Sequence, residues 1–135
     1  MSKSELSDLS RINLTDDKDQ IINKIKKAKT DPLSMPQEIK ELEGRLEAQN
    51  LLGIFASLSN STLETSIEKF AGKNFSEFKQ ELSELLVNKI MPISEEIKKL
   101  LKDQSYLDSI LLNGVENASK IASKKIKNIK EIVGF

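Results

Sequence analysis

Asn74-Phe75-Ser76-Glu77-Phe78-Lys79-Gln80-Glu81-Leu82-Ser83-Glu84-Leu85-Leu86-Val87-Asn88-Lys89-Ile90 decides the fold. Phe75, Phe78, Leu82, Leu85, Leu86 and Ile90 recur at intervals of three and four, which stacks them on one face of an α-helix. Asn74 stands where a side-chain oxygen can accept from an orphan backbone N–H of the first turn. Pro92 lacks a donor and crowds the carbonyl of Asn88, so a kink or restart is expected there. Beyond it Ile93, Ile97, Leu100 and Leu101 carry the stripe on to Lys102.

The segments on either side read the same way. Upstream, Ile21, Ile22, Ile25 and Ala28 form a short amphipathic helix, with Thr15 or Asp16 as its expected cap. Its acidic residues lie at the start and its lysines toward the end, as the helix dipole favours. Asp31-Pro32 stops it, because a residue before proline avoids helical geometry. A connector runs from there to Gly44, with one helical turn around Glu38 to Leu42. A helix over 47–58 presents Leu51, Leu52, Ile54, Phe55 and Leu58. Ser61-Thr62-Leu63-Glu64 fits a capping box for a helix ending near Phe70, and Gly72 suits the left-handed residue that closes it. Downstream, a short helix over 105–112 is expected to break at Asn113-Gly114. A final helix over 115–133 should then turn Val115, Ala118, Ile121, Ala122, Ile126, Ile129 and Ile132 inward. With no alternating pattern and no repeat, the expected class is all-α, a helical bundle.

Composition narrows the chemistry. The 135 residues contain 38% hydrophobic and only 4% aromatic residues, so an aliphatic core of Ile and Leu is expected. Lys plus Arg and Asp plus Glu each number 21, a formal net charge of zero that supplies no global field for nucleic acid. Any contact with RNA would come from a local patch. Absence of Cys and His rules out, within these residues, thiol nucleophiles, imidazole triads and Cys/His metal sites. Carboxylates show no loop spacing of the EF-hand kind, and no dedicated metal site is expected. No apolar run has the roughly 20 residues a membrane span needs, and cytosol is the expected compartment.

The N-terminal Met1-Ser2-Lys3-Ser4 resembles the tail of the Lys-Met-Ser-Lys-Ser loop of class I aminoacyl-tRNA synthetases. The rest of the chain resembles, in order, the part of bacterial-type tryptophanyl-tRNA synthetases after that loop. The matching stretches are Ser10 to Asp17, Lys24 to Asp31, Asn50 to Phe55, Phe70 to Lys79 and Asn113 to Ala118. Three departures stand out: no leading lysine precedes Met1, Glu5 replaces a common Asp, and Leu46 replaces a frequent proline.

The resemblance implies roles. In such enzymes the amino acid carboxylate attacks the α-phosphate of ATP, and pyrophosphate leaves. A mobile lysine that meets the leaving group mainly in the transition state accelerates that step. Lys3 takes this catalytic role, and Ser2, Lys3 and Ser4 become the ATP-contacting residues. ATP would come with Mg2+ in the intact family, and neither is held by this chain alone. The helical region would contact tRNA(Trp), with Lys120, Lys124, Lys125 and Lys127 of the last helix as candidate phosphate partners. A solvated helix face would explain the same lysines.

Residues 1–14 are thus expected to be the remnant of the signature loop, and 15–135 the helical tRNA/anticodon-binding module. The Rossmann nucleotide-binding half, with its His-containing signature, is expected upstream. It would be a missing N-terminal catalytic half, without which the isolated chain is catalytically incompetent. In the intact family the enzyme is a homodimer. The rival reading is a stand-alone helical interaction or tRNA-binding protein without catalysis; a tyrosyl-type relative fits the loop but the later helices less well.

Overall fold

The computed structural model describes residues 7–134. Their regular structure is all helical: α1 (Lys18–Lys27), α2 (Leu46–Ser59), α3 (Leu63–Phe70), α4 (Phe75–Lys102) and α5 (Gln104–Val133), with 3₁₀ turns at Asp8–Ser10 and Ile39–Leu42. The chain divides into two compact units after Glu95.

In the first unit, capping residues set the helix ends. Asp17, not Thr15 or Asp16, caps α1: Gln20 N donates to Asp17 Oδ1 at 2.8 Å, and Asp17 N donates to Gln20 Oε1 at 2.8 Å. Asp16 is unavailable because it turns inward and is buried. Likewise Thr62 rather than Ser61 caps α3, accepting from Thr65 N at 3.2 Å, while the Ser61 hydroxyl lies 2.8 Å from Ser59 Oγ. Asn74 caps α4 as expected, accepting from Glu77 N at 2.8 Å. Gly72 closes α3 at φ 70°, a left-handed value that L side chains rarely adopt.

The core is not purely aliphatic. Ile21, Ile25, Leu52, Leu82 and Leu86 are buried as their spacing predicts, Ile67 of α3 joins them, and Phe55, Phe70 and Phe78 sit among them. Phe70 meets Phe55 and Phe78 edge to face at centroid distances of 4.8 and 4.9 Å. Low aromatic content therefore hid a concentrated arrangement in which ring edges face ring faces.

The connector between α1 and α2 is tied at both ends. Arg45 forks onto Asp31, from Nε at 2.9 Å and Nη2 at 2.8 Å, and Nη2 also donates to Ser34 O at 2.8 Å. That fork holds the Asp31 carboxyl below the ordinary carboxylate range. Met35 N donates to Lys73 O at 2.8 Å and Gly72 N to Met35 O at 3.2 Å, which pins the connector against the α3–α4 turn.

α4 passes through Pro92 as one helix, with no restart. Proline removes a single donor, and the buried residues Ile90 and Ser94 hold the helix on both sides. The stripe beyond it is not buried: Ile93, Leu100 and Leu101 are exposed and Ile97 is half-buried. Spacing decides which residues share a face, whereas burial also requires a covering partner.

In the second unit, α5 runs unbroken through Asn113-Gly114. A mid-helix glycine costs only about 1 kcal/mol relative to Ala, too little to end a 30-residue helix whose Asn117 Nδ2 also donates to Asn113 Oδ1 at 2.7 Å across the step. Asp103 caps it, accepting from Tyr106 N at 3.0 Å, and Gly134 closes it at φ 89°. Val115, Ile121, Ile126, Ile129 and Ile132, expected inward, are all exposed, and no residue of α5 is buried.

Candidate functional site

Ser2, Lys3 and Ser4 lie outside the described residues. What the structure does describe is the chain just after them and how it joins the helices. Ser7 caps the first 3₁₀ turn, accepting from Leu9 N at 3.3 Å. One residue later Asp8 reaches Lys24 of α1, with Nζ to Oδ2 at 2.7 Å. The same ammonium lies 2.7 Å from Asp16 Oδ2. Asn13 ties the loop between them: its backbone N donates to Asp16 Oδ2 at 2.8 Å and its side-chain amide to Asp8 Oδ1 at 3.0 Å. Arg11 Nη2 stands 3.4 Å from Asp8 Oδ1.

Burial divides this cluster. The side chains of Lys24 and Asp16 are 5% and 6% exposed, while that of Asp8 is 55% exposed. Burial alone would depress the Lys24 ammonium, but hydrogen bonds to Asp16 and Asp8 outweigh it and hold the pKa above the ordinary lysine value. Asp8 is held below the ordinary carboxylate range, first by Lys24 and then by Asn13.

A shallow groove of about 820 Å³ opens beside the cluster, walled by residues 7–12, α1 and α2. Arg11, Lys27 and Asn50 line it along with Leu9, Ile12 and Ile54. A second groove, of about 800 Å³, lies between α1 and the first half of α4, where Lys18, Lys26 and Lys79 meet Phe75 and Val87. Lys79 is committed structurally, since its Nζ donates to Ala28 O at 2.6 Å at the carbonyl end of α1. No three or more Asp or Glu side chains among the described residues form a group that could hold a metal ion, and no described helix is long and apolar enough to cross a membrane.

The structure gathers only part of the lysine set on α5. Lys120, Lys124 and Lys127 come at steps of four and three and share one exposed face. Lys127 Nζ lies 3.9 Å from Glu131. Lys125 stands four residues from both Ile121 and Ile129 and so belongs to the apolar face instead. Arg45 is engaged with Asp31.

Sequence reading missed Asp8, Asp16 and Lys24. The available signal was Lys24 itself, a cation inside the stripe of Ile21, Ile25 and Ala28, where burial demands a counter-charge.

Residues 1–91 match the family described as tRNA synthetases class I (W and Y). The whole chain is similar to tryptophan–tRNA ligases: 50% identical over 135 residues to that of Agrobacterium fabrum and 47% to that of Brucella melitensis, spanning 38% of each. The enzyme of that name from Caulobacter vibrioides is 47% identical over the same 135 residues, 39% of its length. The chain thus spans well under half the length of these curated relatives, and with more than half of its own residues matched it belongs to the class I tRNA synthetases of the W and Y group.

Proposed function

We propose that this chain is the C-terminal portion of a tryptophan–tRNA ligase. It contributes the ATP- and pyrophosphate-contacting loop and the helical region that receives tRNA(Trp). The carrying observation is the continuous likeness of all 135 residues to proteins named tryptophan–tRNA ligase. Residues 1–14 are the remnant of the signature loop, and 15–135 the tRNA-binding module.

In this reading Lys3 is the catalytic residue. Its ammonium meets the charge that grows on the departing pyrophosphate, a contact stronger in the transition state than in the ground state. A compact point charge on a flexible stem suits that task, and the Ser2 and Ser4 hydroxyls offer hydrogen bonds to phosphate oxygens. ATP is the substrate that supplies the adenylyl group, pyrophosphate leaving as the carboxylate–phosphate bond forms, with Mg2+ as its companion.

Lys120, Lys124 and Lys127 offer one exposed cationic face for tRNA phosphates, and Lys125 stands apart from it. The 135 residues alone do not activate tryptophan, because they lack His and span 38% of their relatives. The intact protein works as a cytoplasmic homodimer. Tryptophan-dependent exchange of pyrophosphate into ATP tests the reading. The intact ligase should show exchange that falls in Lys3→Ala, and the isolated 135 residues should show none.

A further inference from the structure

The Asp8–Lys24–Asp16 cluster has a division of labour that the fold alone does not require. Asp16 is spent entirely inside: its carboxylate accepts from Lys24 Nζ at 2.7 Å and Asn13 N at 2.8 Å, and its backbone carbonyl accepts from Ser94 Oγ at 3.4 Å. One buried cation paired with one buried anion is already neutral, so Lys24 needs no second carboxylate to be tolerated. Asp8 nevertheless closes to 2.7 Å from outside, with a side chain 55% exposed. Its partners reach both of its oxygens, Lys24 on Oδ2 and Asn13 and Arg11 on Oδ1. A mostly exposed carboxylate held by Lys24 and Asn13, with Arg11 ion-paired beside it, fixes the place of its own backbone. Asp8 stands five residues after Lys3 in the chain.

We propose that Asp8 is a positioning residue for the signature loop: gripped by Lys24, whose charge Asp16 already balances, it anchors the backbone that follows the segment bearing Lys3. This inference rests on the reading of Lys3 as the catalytic lysine. A charge contact made mainly in the transition state loses effect steeply with misplacement, so loosening the root should be felt at the reaction and not in substrate binding. Because Lys24 and Asp16 remain paired when Asp8 is removed, the fold should survive the substitution.

The experiment is a double-mutant cycle in the intact ligase, measured by tryptophan-dependent pyrophosphate exchange with Asp8→Ala, Lys3→Ala and both together. Thermal unfolding of each variant is recorded alongside. Asp8→Ala is expected to lower kcat about tenfold, with the tryptophan KM within about twofold of wild type, and with an unchanged unfolding midpoint. In the Lys3→Ala background the same change should cost nothing further, since Asp8 acts only through Lys3. Asp8→Glu, which keeps the charge on a longer stem, should recover part of the loss. An unchanged kcat in Asp8→Ala while Lys3→Ala is impaired overturns the proposal and leaves Lys3 catalytic. Losses that multiply also overturn it, placing Asp8 outside the action of Lys3. An unimpaired Lys3→Ala enzyme overturns the reading of Lys3 itself, and the proposal falls with it. If the unfolding midpoint of Asp8→Ala drops together with kcat, Asp8 is a structural residue only.

Discussion

Lys24 sits in the middle of an isoleucine stripe, and its ammonium is kept there by Asp16 rather than by water. Removing one partner of a buried ion pair strands the other charge, a loss of roughly 3 kcal/mol or more. Lys24→Ala should therefore destabilise the module by about that amount in a denaturant titration, whereas Asp8→Ala should leave the midpoint near wild type. Equal midpoints for Lys24→Ala and wild type would show that Asp16 finds another partner. The Arg45 fork sets a pH dependence of its own. Asp31 binds its proton less readily folded than unfolded, because Arg45 favours the carboxylate. The unfolded chain therefore takes up more protons as pH falls, and acid favours unfolding. The Arg45–Asp31 contribution is fully present at neutral pH and lost below the ordinary carboxylate range. Asp31→Asn should flatten that acid limb without changing the shape of the curve near pH 7.

Among the elements, α5 separates helix propensity from burial. Gly114 lies within it at a negative φ, with nothing within 4 Å of where a Cβ would stand. Gly114→Ala should raise the helical stability of α5 by about 1 kcal/mol, read as a higher melting midpoint in circular dichroism. A lower midpoint would mean that the glycine meets something close in solution. The helix stripes of α1, α2 and the first half of α4 were legible because each buried face repeats at three and four residues. Cap identity was less so: at Thr15-Asp16-Asp17 and Ser61-Thr62 several residues can accept the same N–H, and pairing of Asp16 with Lys24 made the choice at the first, engagement of the Ser61 hydroxyl by Ser59 and Ser66 at the second. The run through Asn113-Gly114 was misread because a local breaker was weighed without the length of helix on either side. The inward face assigned to Ile121 and Ile129 failed for a different reason, since periodicity identifies a face and not what covers it. Lys3 could be reached only through likeness of the loop, and Asp8 only through geometry.

At the scale of the molecule, a neutral chain whose α5 carries a cationic face should bind tRNA weakly and with strong dependence on salt. Replacing Lys120, Lys124 and Lys127 by Gln should weaken binding and flatten its dependence on salt, while preference for tRNA(Trp) persists, because phosphate contacts carry little sequence information. A slope equal to that of wild type would leave those lysines on an idle face. The buried core lies in the first unit, where Leu82 is fully buried. Leu82→Ala should cost about 2–5 kcal/mol, and a cost within error would mean that the core forms only with further parts of the ligase.

Reconstitution tests the central claim most directly. The 135 residues are mixed with the preceding part of a tryptophan–tRNA ligase, and tryptophan-dependent pyrophosphate exchange is measured for each part alone, for both together and for both with Lys3→Ala. Neither part alone should exchange. The pair should, and Lys3→Ala should lower kcat by roughly 10²-fold or more, the scale of one lost transition-state charge contact, with the tryptophan KM little changed. Exchange by the 135 residues alone, or a reconstituted pair indifferent to Lys3, would contradict the account.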